Sequence, residues 1–70
     1  MTDFSIREGE KYIKLGQLLK ACDMVSSGVE AKIVINEGFV TVNGEVCEMR
    51  GKKIYKGDIV NYKEKEIRIV

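Results

Sequence analysis

Seventy residues lie near the lower limit at which one hydrophobic core holds a fold without disulfides or metal, so a single domain over residues 1–70 is expected. With 44% hydrophobic and 33% charged residues, no proline and no biased tract, the composition fits a folded globule and argues against disorder. A net charge of +1 excludes the whole-domain basicity that usually marks a phosphate binder, so a nucleic-acid function has to rest on where the charge lies.

In chain order, Asp3-Phe4-Ser5-Ile6 alternates polar and apolar and predicts a short strand, with a turn at Arg7 to Glu10. From Lys14 to Cys22 the apolar residues Leu15, Leu18, Leu19 and Cys22 recur at i, i+3, i+4 and i+7, the spacing of one buried helical face. Lys14, Gln17 and Lys20 fall on the other face. Ser27 predicts a helix cap, with Glu30 three residues on to complete a capping box. The second helix then buries Ala31, Val34 and Ile35 and stops at Gly38, a residue free to take the left-handed conformation.

Beyond Gly38 the period changes to two. Phe39 to Val42 and Glu45 to Glu48 flank Asn43-Gly44, whose residue types suit a type I′ hairpin turn with positive φ at both positions. Phe39 is expected in the core. A basic segment, Arg50 to Tyr55, leads to a turn at Lys56-Gly57-Asp58, then to two strands, Ile59 to Tyr62 and Glu66 to Val70. Strand, helix, helix and several strands make an α+β fold.

No apolar run approaches the roughly 18 to 20 residues that span a bilayer, and the first ten residues lack a secretory pattern, so a cytoplasmic location with no membrane partner is expected. Cys22 and Cys47 have no histidine and no further cysteine to make a zinc site, and are expected as small core residues.

Catalysis has little support. There is no histidine, and no G-x-S-x-G, H-E-x-x-H or phosphate-cradling glycine loop. Asp3, Asp23 and Asp58 fall at a terminus or in turns, where carboxylates are commonly solvated. No enzyme activity, small-molecule substrate or cofactor is expected.

The charge itself is segregated: residues 11–20 carry +3 and residues 51–60 carry +2. Arg50, Lys52, Lys53 and Lys56 stand within seven positions without an acid, suited to phosphates as a bidentate fork and point charges. Lys32 lies about a turn and a half into the second helix, where the macrodipole disfavours a cation by a few tenths of a kcal/mol. Lys20, near the end of its helix, is explained by structure alone. Ser27 caps a helix whose N-terminus also suits phosphate. Phe4, Tyr12, Phe39, Tyr55 and Tyr62 are too dispersed in sequence to read as a base-stacking platform.

Several of these positions recur together: Ile13-Lys14-Leu15 with Leu18-Leu19-Lys20, then Ser27, Glu30-Ala31-Lys32, Ile35, Glu37-Gly38, Val40 to Gly44, and Gly57-Asp58. The pattern resembles the S-four-like RNA-binding domain, named after a small-subunit ribosomal protein. Gly28-x-Glu30-Ala31-Lys32 and Arg50-Gly51-Lys52-Lys53 look like the short stand-alone bacterial members. The resemblance covers roughly residues 3–70. It implies two short antiparallel helices packed on a small, mostly antiparallel sheet, the alpha-L fold. It also implies a basic helix-loop surface that grips structured RNA.

Carried onto this chain, the RNA-binding residues would be Lys14, Ser27, Lys32, Arg50, Lys52 and Lys53. The implied partner is ribosomal RNA or a ribosome-assembly intermediate, bound by a monomer. Two positions depart from longer members: Gly16 replaces an acidic residue and Gly28 a basic one, which implies fewer contacts. The alternative is a protein-interaction module that pairs an exposed sheet edge, such as Glu66 to Val70, with a partner's strand.

Overall fold

A computed structural model of the chain describes residues 2–70. The alternating apolar positions of the second half build most of one sheet. Strand β1 (Thr2–Phe4) is followed by β2 (Ile13–Lys14), helix α1 (Leu15–Ala21) and helix α2 (Gly28–Asn36). Then come β3 (Val40–Val42), β4 (Glu45–Val46), β5 (Lys53–Ile54), β6 (Ile59–Tyr62) and β7 (Lys65–Ile69). The main sheet has the order β1-β7-β6-β3-β4, antiparallel except where β1 runs parallel to β7. A separate antiparallel ribbon joins β2 to β5.

Register places Val42 opposite Val60 and Val60 opposite Ile67, so these three residues bury on one face. Val40, Tyr62 and Ile69 join them. Leu15, Leu18 and Leu19 of α1, with Ala31, Val34 and Ile35 of α2, cover that face. The opposite face carries Thr41, Asn61, Glu66 and Arg68, the polar alternation of a sheet packed on one side only. Two helices on one side of a mostly antiparallel sheet is the α+β architecture expected from the sequence.

Four expectations change. Phe39 is 60% exposed rather than core. The amides of Gly38 and Phe39 donate to the carbonyls of Ile35 and Val34, closing α2 in a Schellman turn. The chain leaves that turn with Val40 and Val42 inward, which points Phe39 outward. Second, the C-terminal strand is no edge: β7 lies between β1 and β6, and the edges are β1 and β4. Its parallel pairing with β1, 65 residues away, has no local sequence signal. Third, β4 ends at Val46, short of the Glu48 limit expected. Finally, Lys53 belongs to a strand rather than a free loop, because Ile54 is fully buried and anchors the ribbon.

The Asn43-Gly44 turn has φ of 52° and 88°, as the hairpin signal requires. Cys22 and Cys47 are half-buried free thiols. Burial, and secondarily the charge of Asp23, pushes the Cys22 thiol pKa up, which keeps it protonated at neutral pH. Among the described residues no helix is long and apolar enough to cross a membrane.

Candidate nucleic-acid interface

The site is built around the start of α1. Lys14, the residue preceding this helix, offers no side-chain cap, so its first amides need other partners. The Leu15 amide donates to the Lys52 carbonyl at 2.9 Å and the Gly16 amide to the Arg50 carbonyl at 3.0 Å. Residues 50–52 are thereby clamped across the helix N-terminus. Gly16 sits at the junction: a Cβ there would stand 3.5 Å from the Arg50 Cβ and 4.0 Å from that of Ala31, ordinary contact distances. Loop, α1 and α2 thus converge at one residue without a bulky side chain.

Beside this junction lies a groove of about 330 Å³. Lys14 just before α1 and Gln17 and Lys20 on it line the groove, with Gly28 and Ala31 from α2 and Arg50 with Gly51 from the loop. Three cations therefore face one acid-free depression. None of them takes part in an ion pair among the described residues, whose two salt bridges are Arg7–Glu10 and Arg68–Asp3.

Of the residues singled out from sequence, Lys14 and Arg50 share this groove. Ser27 adjoins it through Gly28 and already accepts the Glu30 amide at 3.2 Å. Lys32, exposed, stands outside it, one turn further along α2. Lys52 and Lys53 line a different depression on the other side of the loop. Lys20, assigned above to structure alone, lines the groove with Lys14, and their i, i+6 spacing was visible in the sequence.

Two further features come from the ribbon. Its register sets Lys14 directly opposite Lys53, a like-charge pair that costs stability in a sheet. It also brings Tyr12 and Tyr55 together, with ring centroids 5.8 Å apart, and places the Lys53 ammonium 5.0 Å from the Tyr12 ring centroid. The tyrosines are 43 positions apart, so their pairing was invisible in a linear reading.

The capping box is shifted by one residue. Ser27 caps α2 as expected, but the Glu30 carboxylate accepts the Ser26 amide at 2.7 Å and the Ser26 hydroxyl at 2.8 Å. The backbone bond first, then the hydroxyl, holds the Glu30 pKa below its usual value. The aspartates are engaged locally: Asp58 accepts from the Tyr55 amide and the Asn43 side chain, and Asp3 from Arg68. Among the described residues no three metal-ligating side chains gather.

A family model described as the S4 domain matches residues 4–70. Over 48 residues, 69% of this chain and 68% of the relative, the sequence is 48% identical to the probable ribosome maturation protein RlbA of Bacillus subtilis (strain 168). The solution structure of YbcJ from E. coli, reported to reveal an αL motif involved in RNA binding, matches with a TM-score of 0.73 at 34% identity. That match covers 100% of this chain and 87% of the other.

Proposed function

Because this chain belongs to the S4 domain family, we propose that it is a non-enzymatic RNA-binding module that grips structured RNA of the ribosome or of an assembly intermediate through the α1–α2–loop groove. The observation that carries this function is the convergence of Lys14, Lys20 and Arg50 on one acid-free groove, without ion-pair partners among the described residues. Lys32 on α2, and Lys52 with Lys53 on the loop, extend the surface to either side.

Stability does not call for this arrangement. Lys14 faces Lys53 across the ribbon, a like-charge pair that costs stability in a sheet and that a polyanion relieves. The groove is rigid at its base, because loop carbonyls satisfy the α1 amides, and it suits contacts to phosphate and sugar and to the shape of a folded RNA. The αL motif of YbcJ and the ribosome-maturation name of RlbA support the same direction. Strand pairing with a partner protein is less favoured. The C-terminal strand is interior, and the edges β1 and β4 are only three and two residues long, poor templates for a partner.

The test is a mobility-shift titration of the wild type and a Lys14→Ala/Lys20→Ala/Arg50→Ala variant against a structured RNA, a single-stranded RNA and a DNA duplex. The wild type should prefer structured RNA, with a slope of log affinity against log salt of about −3 to −5 if four to six phosphates are neutralised. The folded variant should bind at least about tenfold more weakly, roughly 1.4 kcal/mol, with a shallower slope. Equal binding by the variant would remove the groove from the interface.

A further inference from the structure

On the far side of the loop from the cationic groove lies a second depression of about 490 Å³. Its walls differ in kind. Lys52 and Lys53 bring cations, Tyr55, Met49 and Val46 bring apolar surface, and Glu45 and Glu48 bring carboxylates, while the Asp58 carboxylate is held by the Tyr55 amide and the Asn43 side chain. Tyr55 is 47% exposed, Met49 67% and Val46 60%, an unusual cluster of large apolar side chains on so small a chain. Tyr55 also rests against Tyr12, whose ring lies beneath the Lys53 ammonium, so its position is braced from behind.

We propose that this depression takes a single unpaired nucleotide of the bound RNA, a bulged or loop base stacked on Tyr55 with its phosphate on Lys52 and Lys53. The proposal deepens the RNA-binding function above and rests on it. Each wall matches one part of a nucleotide. An aromatic face of this kind stacks any base, and ammonium groups meet the phosphate. Carboxylates accept hydrogen bonds from exocyclic amino groups, which cytosine, adenine and guanine possess and uracil lacks. A cavity of several hundred Å³ accommodates one nucleotide, whereas a duplex cannot enter it.

Continuity selects RNA over a peptide as the occupant. The same short loop presents Arg50 to the first groove and Lys52 to the second, so a helical RNA seated on the first brings its neighbouring strand to the second. The carboxylates of Glu45, Glu48 and Asp58 in the lining would repel the phosphates of a continuing backbone, which limits the insertion to one base.

The experiment compares a fully paired RNA hairpin with the same hairpin carrying one bulged 2-aminopurine, titrated with wild type, Tyr55→Ala and Tyr55→Phe. Wild type and Tyr55→Phe should bind the bulged hairpin about tenfold more tightly than the paired one and quench the 2-aminopurine fluorescence. Tyr55→Ala should lose both the preference and the quenching while keeping its affinity for the paired hairpin. Equal affinity of the wild type for the two hairpins, or a preference retained by Tyr55→Ala, overturns the proposal. Failure of the wild type to bind either hairpin defeats the RNA function itself, an outcome distinct from loss of the bulge preference alone.

Discussion

Glu30 shows how one carboxylate can hold both the amide and the hydroxyl of a single neighbour. Because its charged form accepts two bonds from Ser26, its folded pKa lies below the unfolded value of roughly 4.3. The stabilisation is therefore complete above the unfolded pKa and is lost as pH falls through the lower folded value. Glu30→Gln should lower the urea midpoint at pH 7, and the gap to wild type should be smaller at pH 3. A gap of equal size at both pH values would show that the carboxylate charge is not what the cap uses. Ser27→Ala, which removes the oxygen that accepts the Glu30 amide, should cost about 1 kcal/mol in the same denaturation at any pH. The Ser-x-x-Glu spacing made the cap legible. It could not tell which of two adjacent serines the glutamate reaches, since both lie within range of the same flexible side chain.

At the scale of elements, α1 depends on a segment more than 30 residues away for its first hydrogen bonds. Its seven residues are too few to form a helix alone, and three buried leucines together with the clamp from residues 50 and 52 hold it. Gly16 sits in the first turn without a positive φ, and an added methyl would meet Arg50 only at ordinary contact distance. Gly16→Ala should accordingly stabilise the protein by about 0.5–1 kcal/mol, seen as a melting temperature several degrees higher. A lower melting temperature would mean that loop and helix need a closer approach than these distances show. The helix periodicities and the Asn-Gly hairpin were legible because each is a local pattern. The ribbon of β2 and β5 was not, because two residues on each side carry no periodicity at all.

Over the whole molecule, a net charge of +1 coexists with an acid-free cationic groove. The acids are displaced elsewhere: two pair with Arg7 and Arg68, and Glu30 binds Ser26. Gly28 lines the groove with nothing within 4 Å of where its Cβ would stand. Gly28→Arg should therefore add a phosphate contact, steepening the salt dependence of RNA affinity by about 0.9 and raising affinity most at low salt. An unchanged slope would place the RNA away from the α2 start.

The sequence by itself determined the α+β class, both helices, the cap, the hairpin turn and the family, because each follows from residues within a few positions of one another or from a recurring motif. The family resemblance also named Lys14 and Arg50, which share one groove in the structure. The tertiary structure decided which cations share a groove and which line the second depression, that Lys20 belongs with Lys14 and Arg50, that Tyr12 meets Tyr55, and that the last strand is interior. Those outcomes depend on strand register and on a loop closing over a helix end. Both are long-range hydrogen-bond choices made by burying Ile54, Ile67 and the three leucines, and no local stretch of sequence encodes them.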